Sequence, residues 1–313
     1  MEQEMRYVYQ VYLEGSVSKA AEKLFITQPA LSVAIQRTES RLGMPLFDRK
    51  TRPLTLTPAG EAYISAVKQA LQLERELEQR MNDIRDLHTG SLLIGGTHYL
   101  NAYILPEILS GFSRKFPGIR LQLVEHSAAT LAEMLSEREL DLTLNCDPKF
   151  LMDFERYPAF CDTILLAVPE ADPIHESLGE NALSAKDIQK DVHLRAEYPT
   201  VPLERFREIP FLLLNEGNNL HERSLQLFQE AGYEPIVKMS LAQLVTAYHL
   251  AEYGFAATFV SDRLVKSESS RLKFYKLDST LIHRQFFILL PKRGYTSFAT
   301  KAFIAYFRDF LPF

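Results

Sequence analysis

The fold is decided by residues 15–32, which read GSVSKAAEKLFITQPALS. Gly15 interrupts a preceding helical pattern, and Ser16 or Ser18 can accept a hydrogen bond from the free N–H groups of a new helix. Thr27 is a favourable N-cap for the next helix, and Pro29 lies in its first turn, where the missing N–H costs nothing. Two short helices joined in this way predict a helix-turn-helix, whose second helix fits the major groove of DNA.

The second of these helices has an inner and an outer face. Leu31 and Ile35 are four residues apart, so they are predicted to face the core together. Candidate DNA contacts on this helix and the turns before it are Ser16, Ser18, Thr27, Gln28, Pro29, Ser32, Val33, Gln36 and Arg37. Gln28 and Ser32 are the leading candidates for base-edge contact, with helix capping as the alternative. Val33 could contact a thymine methyl group, or it could be an ordinary surface valine.

A basic segment follows over residues 37–52. Five basic residues oppose two acidic ones here, which gives a local charge of +3. Such a cluster is usually a solvated face, but this one flanks residues 53–57, which are short and alternating like the wing of a winged helix. Arg49, Lys50 and Arg52 are therefore predicted to contact DNA, and the phosphate contacts would make binding salt-dependent.

A longer motif runs through these elements. It comprises GSVSKAAEKL (15–24), TQPALS (27–32), Glu39, LG (42–43), PLF (45–47), Arg49 and LTPAGE (56–61). This motif resembles the N-terminal domain of LysR-type transcriptional regulators, and the resemblance implies that Arg49 enters the minor groove from the wing. Two positions depart from the family pattern, because Val33 replaces a frequent Arg, Lys or Gln and Thr38 replaces a usual Leu.

Residues 58–89 are predicted to form one long linker helix. Thr57 would cap it, and Pro58 would take its first helical position. Heptad spacing from Ala59 places seven apolar or amphipathic residues along one seam, of which six are predicted to form the dimer contact: Tyr63, Ala66, Ala70, Leu73, Leu77 and Ile84. Arg80 interrupts this seam. The pattern favours a coiled-coil homodimer over a helix packed on its own body, and the family resemblance implies a homotetramer built from such dimers.

From Gly90 onward, short apolar strands alternate with helical patterns, which predicts an α/β fold with mainly parallel sheets. The predicted strands are 91–97, 119–125, 141–145, 211–214, 236–240, 255–260 and 285–290, and the helices are about 101–115, 128–137, 219–231, 241–253 and 296–311. Residues 170–210 are predicted only as a loop-rich insertion.

The whole chain is thus predicted to be a winged helix-turn-helix domain (1–57), a linker helix (58–89) and an effector-binding domain (90–313). The last part is similar to the family's effector domain at LP (105–106), FP (116–117), ELDL (139–142) and AG (231–232). The resemblance implies two lobes like those of periplasmic binding proteins, with lobe I at 90–162 and 267–313 and lobe II at 163–266.

Polar turns follow several of the predicted strands. Ligands in such sheets bind beyond the strand carboxyl ends, beside helix N-termini that favour anions. The candidate effector contacts are Thr97, His98, Asn101, Ser127, Asn215, Glu216, Asn218, Thr258 and Ser261. Each of these could instead be a helix cap. Glu216 disfavours a purely anionic ligand unless it pairs with a cation, which leaves open an amino acid or another zwitterion.

Composition argues against a disordered, collagenous, repeat or membrane-spanning protein. The chain has 313 residues, of which 46% are hydrophobic and 24% charged, as in ordinary globular proteins. It has a polar N-terminus, two cysteines and no apolar run of the length a membrane helix needs, so we expect a cytoplasmic protein without membrane contact. The net charge of −5 argues against nucleic acid covering the whole surface, but not against a small DNA-binding domain.

Three alternative functions are an enzyme, a small-molecule-binding protein and a redox sensor. The sequence has no nucleophile elbow, phosphate loop or zinc-spaced His/Cys set, so we expect no catalytic residue, metal or cofactor. A small-molecule-binding protein without a DNA role would suit the lobes alone, and a redox-sensing regulator would pair Cys146 and Cys161 reversibly. The preferred interpretation is a regulator whose partners are promoter DNA, a small-molecule effector, RNA polymerase and further copies of itself.

Overall fold

The computed structural model describes residues 3–85, 89–267 and 271–310. The chain forms two compact units, Met1–Asp86 and Leu87–Phe313. Among the residues in the described ranges, no helix combines the length and the apolar character needed to cross a membrane.

The first unit is a helical bundle with a two-stranded wing. Its elements are α1 (Gln3–Glu14), α2 (Val17–Lys23), α3 (Gln28–Leu42), β1 (Phe47–Asp48), β2 (Thr55–Leu56) and α4 (Pro58–Ile84). The predicted caps are present, since the side chains of Ser16, Thr27 and Thr57 accept from backbone N–H groups at the starts of α2, α3 and α4. β1 and β2 pair antiparallel, with Phe47 opposite Leu56.

A small core holds this unit together. Val8, Ala20 and Leu31, one from each of the first three helices, are buried in it together with Ile64 of α4. At Gly60, a Cβ atom would lie 2.0 Å from the carbonyl oxygen of Leu46, so only glycine lets α4 approach the wing this closely. The wing and the linker helix are therefore fixed to the helix-turn-helix.

The second unit alternates strands and helices. Its strands are β3 (Gly90–Gly96), β4 (Ile119–Glu125), β5 (Leu142–Asn145), β6 (Phe154–Pro169), β7 (Pro210–Leu214), β8 (Ile236–Leu241), β9 (Ala257–Ser261), β10 (Leu272–Lys276) and β11 (His283–Pro291). Its α-helices are α5 (Leu105–Lys115), α6 (Ala128–Ser136), α7 (Pro148–Leu151), α8 (His175–Leu178), α9 (Ala185–Gln189), α10 (Asn219–Glu230), α11 (Leu244–Glu252) and α12 (Phe298–Phe310). A π-helical turn, Leu100–Ile104, precedes α5.

The strands form two lobes that share one strand. Lobe I has the order β4-β3-β5-β11-β6, and lobe II continues from β6 through β9 and β7 to β8, with β10 on the other side of β6. The first part of β6 pairs with β11, whereas its residues 164–169 pair with β9 and β10. The predicted two-lobed α/β architecture is therefore confirmed.

Three details differ from the sequence prediction. The sheets are mixed rather than mainly parallel, because β6, β10 and β11 all make antiparallel pairs. Neither β6 nor β10 was among the predicted strands. β10 pairs with the lobe II part of β6, so the chain returns to lobe I after residue 276 rather than at 267.

The segment 170–210 is more ordered than a loop-rich insertion. It contains α8 and α9 together with short 3₁₀ turns at Gly179–Asn181, Val192–Leu194 and Leu203–Phe206. Two isolated bridges, Leu183 to Phe274 and Val201 to Leu277, fasten it along β10. These turns are too short for the periodicity of apolar residues to reveal them.

Candidate functional site

The outer face of α3 carries the predicted base-contacting residues. Gln28, Val33, Gln36 and Arg37 are exposed and Ser32 is half-buried, whereas the core-facing side of the helix is buried. The Gln28 amide Nε2 donates to Ser32 Oγ at 3.0 Å, so these two side chains are oriented together. Gln28 therefore has its carbonyl oxygen and its other N–H available for a base edge.

Thr38 is buried on the inner face, where the family usually has leucine. Its hydroxyl donates to the Ala34 carbonyl at 3.2 Å, so the departure leaves no buried polar group unsatisfied.

A concave surface lies between the start of α2, the outer face of α3 and the wing. Six of the predicted DNA contacts line it: Ser16, Ser18, Gln28, Ser32, Arg49 and Arg52. The other six lie outside this concavity and are solvent-exposed: Thr27, Pro29, Val33, Gln36, Arg37 and Lys50. The concave surface has a volume of about 660 Å³, and its basic side chains are Lys19 of α2 and the wing residues Arg49 and Arg52. The surface thus combines hydroxyl and amide groups with positive charge, which is the chemistry that reads base edges and binds phosphate.

Glu39 fixes the position of the wing arginine. One of its carboxylate oxygens accepts from the backbone N–H of Leu46 at 2.8 Å, and the other pairs with Arg49 at 2.9 Å. Arg41 is held away by Glu4 of α1 at 2.8 Å. Arg49 is therefore presented from a set position, as a contact in a groove requires.

The linker helix α4 has two sections. Gly60, Ile64 and Val67 are buried against the first unit, whereas the second half is exposed on the face that the heptad pattern marks. The exposed fractions of Leu73, Leu77 and Ile84 are 66%, 58% and 76%. Exposed apolar side chains at heptad spacing are typical of helices that pair in coiled coils.

The first residues of the predicted seam behave differently. Tyr63 packs partly against the core of the first unit, so it contributes less to an outward seam than the heptad pattern predicts. Ala66 is exposed and Ala70 half-buried. Arg80, which interrupts the seam, pairs with Glu76 one helical turn earlier at 2.7 Å.

A cleft of about 510 Å³ lies between the two lobes of the second unit, at the carboxyl ends of the strands. Six of the nine predicted effector contacts line it: Thr97, His98, Ser127, Asn215, Glu216 and Asn218. Ser127 and Asn218 also cap α6 and α10, while Glu216 is exposed at the rim. His98 Nδ1 lies 3.3 Å from the Glu125 carboxylate, which holds the imidazole at the opposite rim.

The other three predicted contacts do not line the cleft, because each uses its polar group inside the protein. Asn101 donates to the carbonyls of Gly96 and Val124, which ties the ends of β3 and β4 together. Thr258 donates to the Leu212 carbonyl at 3.1 Å, between β9 and β7. Ser261 lies in a buried network below the cleft. The prediction was wrong for these residues, since a polar residue at a strand end serves equally well to join strands.

Sequence reasoning missed the floor of the cleft. Asn145 and Cys146 at the end of β5 lie there, together with Arg284 of β11. The register places Arg284 directly opposite Asp162 of β6, where its Nε and Nη2 donate to the carboxylate at 2.8 and 2.5 Å. The signal that could have found this pair is a single Arg, Arg284, and a single Asp, Asp162, within apolar segments. Charged side chains are buried in protein cores almost only when they are paired.

The floor continues into a buried hydrogen-bond network that joins the lobes. Ser261 donates to the Asp162 carboxylate at 2.7 Å, and the Tyr99 hydroxyl lies 2.8 Å from Ser261 Oγ. Burial raises the pKa of Tyr99 well above its usual value, so its hydroxyl stays protonated as a donor. Burial alone lowers the pKa of Arg284, but the Asp162 charge outweighs it and the net pKa is raised, so the guanidinium stays charged.

The two lobes also touch directly beside the cleft. Cys146 Sγ donates to Asn219 Oδ1 at 3.4 Å. Lys149 of α7 pairs with Glu222 of α10 at 3.0 Å. These contacts connect residues that follow β5 in lobe I with the first turns of α10 in lobe II, so lobe movement would break them.

The geometry opposes pairing of the two cysteines. β11 lies between β5 and β6, so Cys146 and Cys161 are two strand spacings apart, about 10 Å, whereas a disulfide needs Cα atoms within about 7 Å. Cys161 is exposed on one face of the sheet, and Cys146 is buried on the other. Burial raises the pKa of the Cys146 thiol to about 11, which keeps it unreactive near neutral pH.

Two protein-family models match the chain. The model described as bacterial regulatory helix-turn-helix protein, lysR family, matches residues 3–61, and the LysR substrate binding domain matches residues 85–312. The first coincides with the helix-turn-helix, the wing and the start of α4. The second covers both lobes and the cleft between them.

Individual proteins are similar over almost the whole chain. An uncharacterized HTH-type transcriptional regulator of Bacillus subtilis is 28% identical over 310 residues, covering 98% of this chain and 94% of that protein. A probable RuBisCO transcriptional regulator of Cyanidioschyzon merolae is 25% identical over 308 residues, covering 96% and 95%. The crystal structure of full-length CbnR complexed with its target DNA superposes with a TM-score of 0.68 at 20% identity, covering 99% of each chain. That likeness supports the fold.

Proposed function

This chain belongs to the LysR family of bacterial transcriptional regulators, and from that premise we propose that it binds two promoter half-sites as a homodimer and responds to a small molecule held between its lobes. The observation that carries the proposal is the concave surface on which α3 presents Gln28 and Ser32 beside the wing residue Arg49. Binding modules of this kind have no catalytic task, so we propose a regulator and not an enzyme, acting in the cytoplasm where promoter DNA lies.

Base recognition is assigned to the outer face of α3. Gln28 can make two hydrogen bonds to an adenine edge, and a good bidentate contact of this kind gives about 1–3 kcal/mol of discrimination. The family resemblance assigns Arg49 to the minor groove. Lys50 and Arg52 are exposed on the wing beside it and are assigned to phosphates. Val33, exposed on α3, is assigned to apolar contact with a thymine methyl group.

Dimerisation is assigned to the exposed half of α4. Covering Leu73, Leu77 and Ile84 with the same residues of a second copy would make a two-fold seam. The seam would bring two recognition helices to half-sites about one DNA turn, or about 34 Å, apart. Tetramers would then form from two such dimers.

The domain assignment follows the same division. Residues 1–57 are the proposed DNA-binding domain, 58–89 the linker and 90–313 the effector-binding domain, with lobe II extended to include β10.

An effector that binds one arrangement of the lobes about tenfold more tightly than another couples to DNA binding by roughly 1.4 kcal/mol. One or two net hydrogen bonds in the cleft supply this amount.

The experiment uses the full chain and DNA from its own promoter region. Fluorescence anisotropy would measure the Kd for promoter DNA and for scrambled duplex of equal length, with and without compounds that raise the Tm of the protein. We expect tighter binding to the promoter, and a shift in that Kd with at least one such compound. Equal Kd values for promoter and scrambled DNA would contradict the DNA-binding assignment.

A further inference from the structure

We propose that Glu39 is a specificity-determining residue of the DNA-binding unit, because it holds the Arg49 guanidinium in the orientation that reads the minor groove and withholds it from phosphates. This inference rests on the proposed function, in which Arg49 enters the minor groove beside the major-groove contacts of α3. It gives a role to an acidic side chain that lies within the basic segment 37–52.

A carboxylate at this place opposes DNA binding by its charge alone. Glu39 lies 2.9 Å from Arg49, which lines the concave surface, so its charge is within the Debye length of about 10 Å of a phosphate that Arg49 could bind. Asp48, the other acidic residue of the segment, acts inside the wing, where its carboxylate accepts from the backbone N–H of Lys50 at 2.8 Å. Glu39 instead joins α3 to the wing, and a gain in selectivity offsets its cost in affinity.

The Glu39 side chain is anchored at the base of the wing. It is only 12% exposed, and its Oε1 accepts from the backbone N–H of Leu46 at 2.8 Å. Leu46 is fully buried, and its carbonyl accepts from the backbone N–H of Thr57, the N-cap of α4, at 3.0 Å. The carboxylate that pairs with Arg49 is therefore fixed relative to α3, to the wing and to the linker helix.

Arg49 has donors left over while Glu39 holds it. Its side chain is 59% exposed, and its Nη2 donates to Glu39 Oε2 at 2.9 Å. Its Nε and Nη1 make no hydrogen bond to any residue that the structure describes. A guanidinium presents five N–H donors in a rigid plane, so one edge can stay on the carboxylate while another enters a groove. A lysine ammonium has no such second edge.

The wing has bonds of its own that do not involve this ion pair. The Thr51 hydroxyl donates to the Asp48 carbonyl at 3.1 Å and accepts from the backbone N–H of Thr55 at 3.1 Å, which closes the tip of the wing. β1 and β2 pair on either side of this turn. Removing the Glu39 charge should therefore release the Arg49 side chain without unfolding the wing.

The ion pair separates two kinds of duplex. In a narrow A·T minor groove, where the negative potential is enhanced, Arg49 makes its contact with the Glu39 bond intact. On a duplex without such a groove, Arg49 reaches a phosphate only by leaving Glu39, so the contact gives little net attraction. Glu39 therefore selects DNA that carries A·T pairs under the wing, beside the bases that α3 reads.

Glu39→Gln tests this role in the full chain, because the glutamine oxygen can still accept from Leu46 while its amide gives Arg49 neither a charge nor an acceptor. Fluorescence anisotropy would measure the Kd for sites that the wild type selects from a random duplex pool and the Kd for scrambled duplex. The loss of one negative charge acts on both Kd values alike and cancels in their ratio. We expect the preference for selected sites to fall about three- to thirtyfold, because Arg49 reaches phosphates without breaking an ion pair and must be ordered in the groove. An unchanged ratio would overturn the proposal.

Further variants separate positioning of Arg49 from a structural role of Glu39. In an Arg49→Ala background, Glu39→Gln should leave the ratio unchanged, whereas a structural role would still lower it. Arg49→Lys keeps the charge but cannot hold Glu39 and the groove together, so it should lose preference as Glu39→Gln does. Glu4→Gln is the matched control, since Glu4 of α1 pairs with Arg41 at 2.8 Å, and it should bind as the wild type does. A full Glu39→Gln effect in the Arg49→Ala background, or wild-type preference in Arg49→Lys, would overturn the proposal.

A modified base places the effect in the minor groove. 2,6-Diaminopurine in place of adenine adds an amino group to the minor groove and keeps the major-groove edge of adenine. Scanned through a selected site, it should weaken wild-type binding at the A·T pairs under the wing and weaken Glu39→Gln less at the same pairs. Equal losses in the two proteins at every position would overturn the proposal.

Failure of this inference is distinguishable from failure of the proposed function. A wild type that prefers no selected sequence would contradict the proposed function. A wild type with a clear preference that Glu39→Gln retains would contradict the role of Glu39 and leave the regulator intact.

Discussion

Replacing Leu73 and Leu77 by aspartate should separate the dimer that α4 is proposed to form. These two side chains are 66% and 58% exposed in the single chain, so most of their surface is available for burial by a partner. Full burial of a leucine gives about 1.5–3 kcal/mol, so each contributes roughly 1–2 kcal/mol per copy to the seam. Two-fold symmetry doubles that contribution.

A single Leu73→Asp substitution therefore removes about 2–4 kcal/mol from the dimer, before the cost of bringing carboxylates into the seam is counted. At 1.4 kcal/mol per tenfold, the dimer Kd should rise by about one and a half to three orders of magnitude. The double variant should be largely monomeric, or held together only by contacts outside α4, at micromolar concentration.

Sedimentation equilibrium of the full chain measures this directly. Leu194→Asp is the matched control, since Leu194 is 50% exposed on a 3₁₀ turn of lobe II and far in sequence from α4. The control should assemble as the wild type does, and circular dichroism should show that all variants are folded. A wild type that is monomeric at micromolar concentration, or a Leu73→Asp variant with an unchanged Kd, would refute the assignment of the seam.

Three further predictions concern the effector-binding unit. Thr97→Val should weaken effector binding, measured by calorimetry, and leave the promoter affinity of the effector-free protein unchanged. Ser127→Ala should have the same two effects. It should also lower the free energy of unfolding in urea by about 0.5–2 kcal/mol, since Ser127 caps α6. Unchanged effector affinity in both would place the effector elsewhere. Asp162→Asn should lower the free energy of unfolding by about 3–5 kcal/mol, because it leaves the Arg284 charge buried, and a loss below about 1 kcal/mol would show that the pair is not needed. At pH 8, iodoacetamide should label the exposed Cys161 before Cys146, whose pKa of about 11 leaves about one thiol in a thousand as thiolate. Mass spectrometry should detect labelled Cys146 only as the pH rises. Equal labelling rates of the two cysteines at pH 8 would contradict the burial of Cys146.

The first unit could be predicted from sequence because its signals are local. Ser16, Thr27 and Thr57 each cap the helix that starts next to them, and Leu31 and Ile35 mark one helix face by their spacing alone. The strands of both lobes that alternate with helices could be predicted equally well, and β4 has the predicted limits. Each of these features is set by residues within a few positions of one another.

The features that were missed depend on distant parts of the chain. β6 contains Pro158 and changes partners midway, from β11 to β9 and β10, so no single periodicity describes it. The cleft floor is assembled by pairing β11 with β5 and β6, which brings Arg284 beside residues more than a hundred positions earlier. No local pattern could indicate that arrangement.

The predicted effector contacts fall into two groups, those that line the cleft and those that bond inside the protein, and distant parts of the chain decide which. Thr97 and Asn218 lie in turns that reach the cleft, whereas Asn101 and Thr258 are polar residues of the same kind that bond to carbonyls of neighbouring strands. Residue type and distance from a strand end do not separate the two roles, and the packing of the strands decides which role each residue takes.

The most direct test of sequence-specific recognition by α3 and the wing compares two variants on sites selected by the wild-type chain from a random duplex pool. Affinities for selected and random duplex would be measured by anisotropy over a range of salt concentrations. Gln28→Ala should lose about 1–3 kcal/mol of preference for the selected sites with the salt dependence unchanged, whereas Arg52→Ala should weaken all duplexes alike and reduce the salt slope by about one. A wild type without preference for any selected sequence would contradict sequence-specific recognition by α3 and the wing. A Gln28→Ala variant with full preference, together with an Arg52→Ala variant with an unchanged salt slope, would contradict it as well.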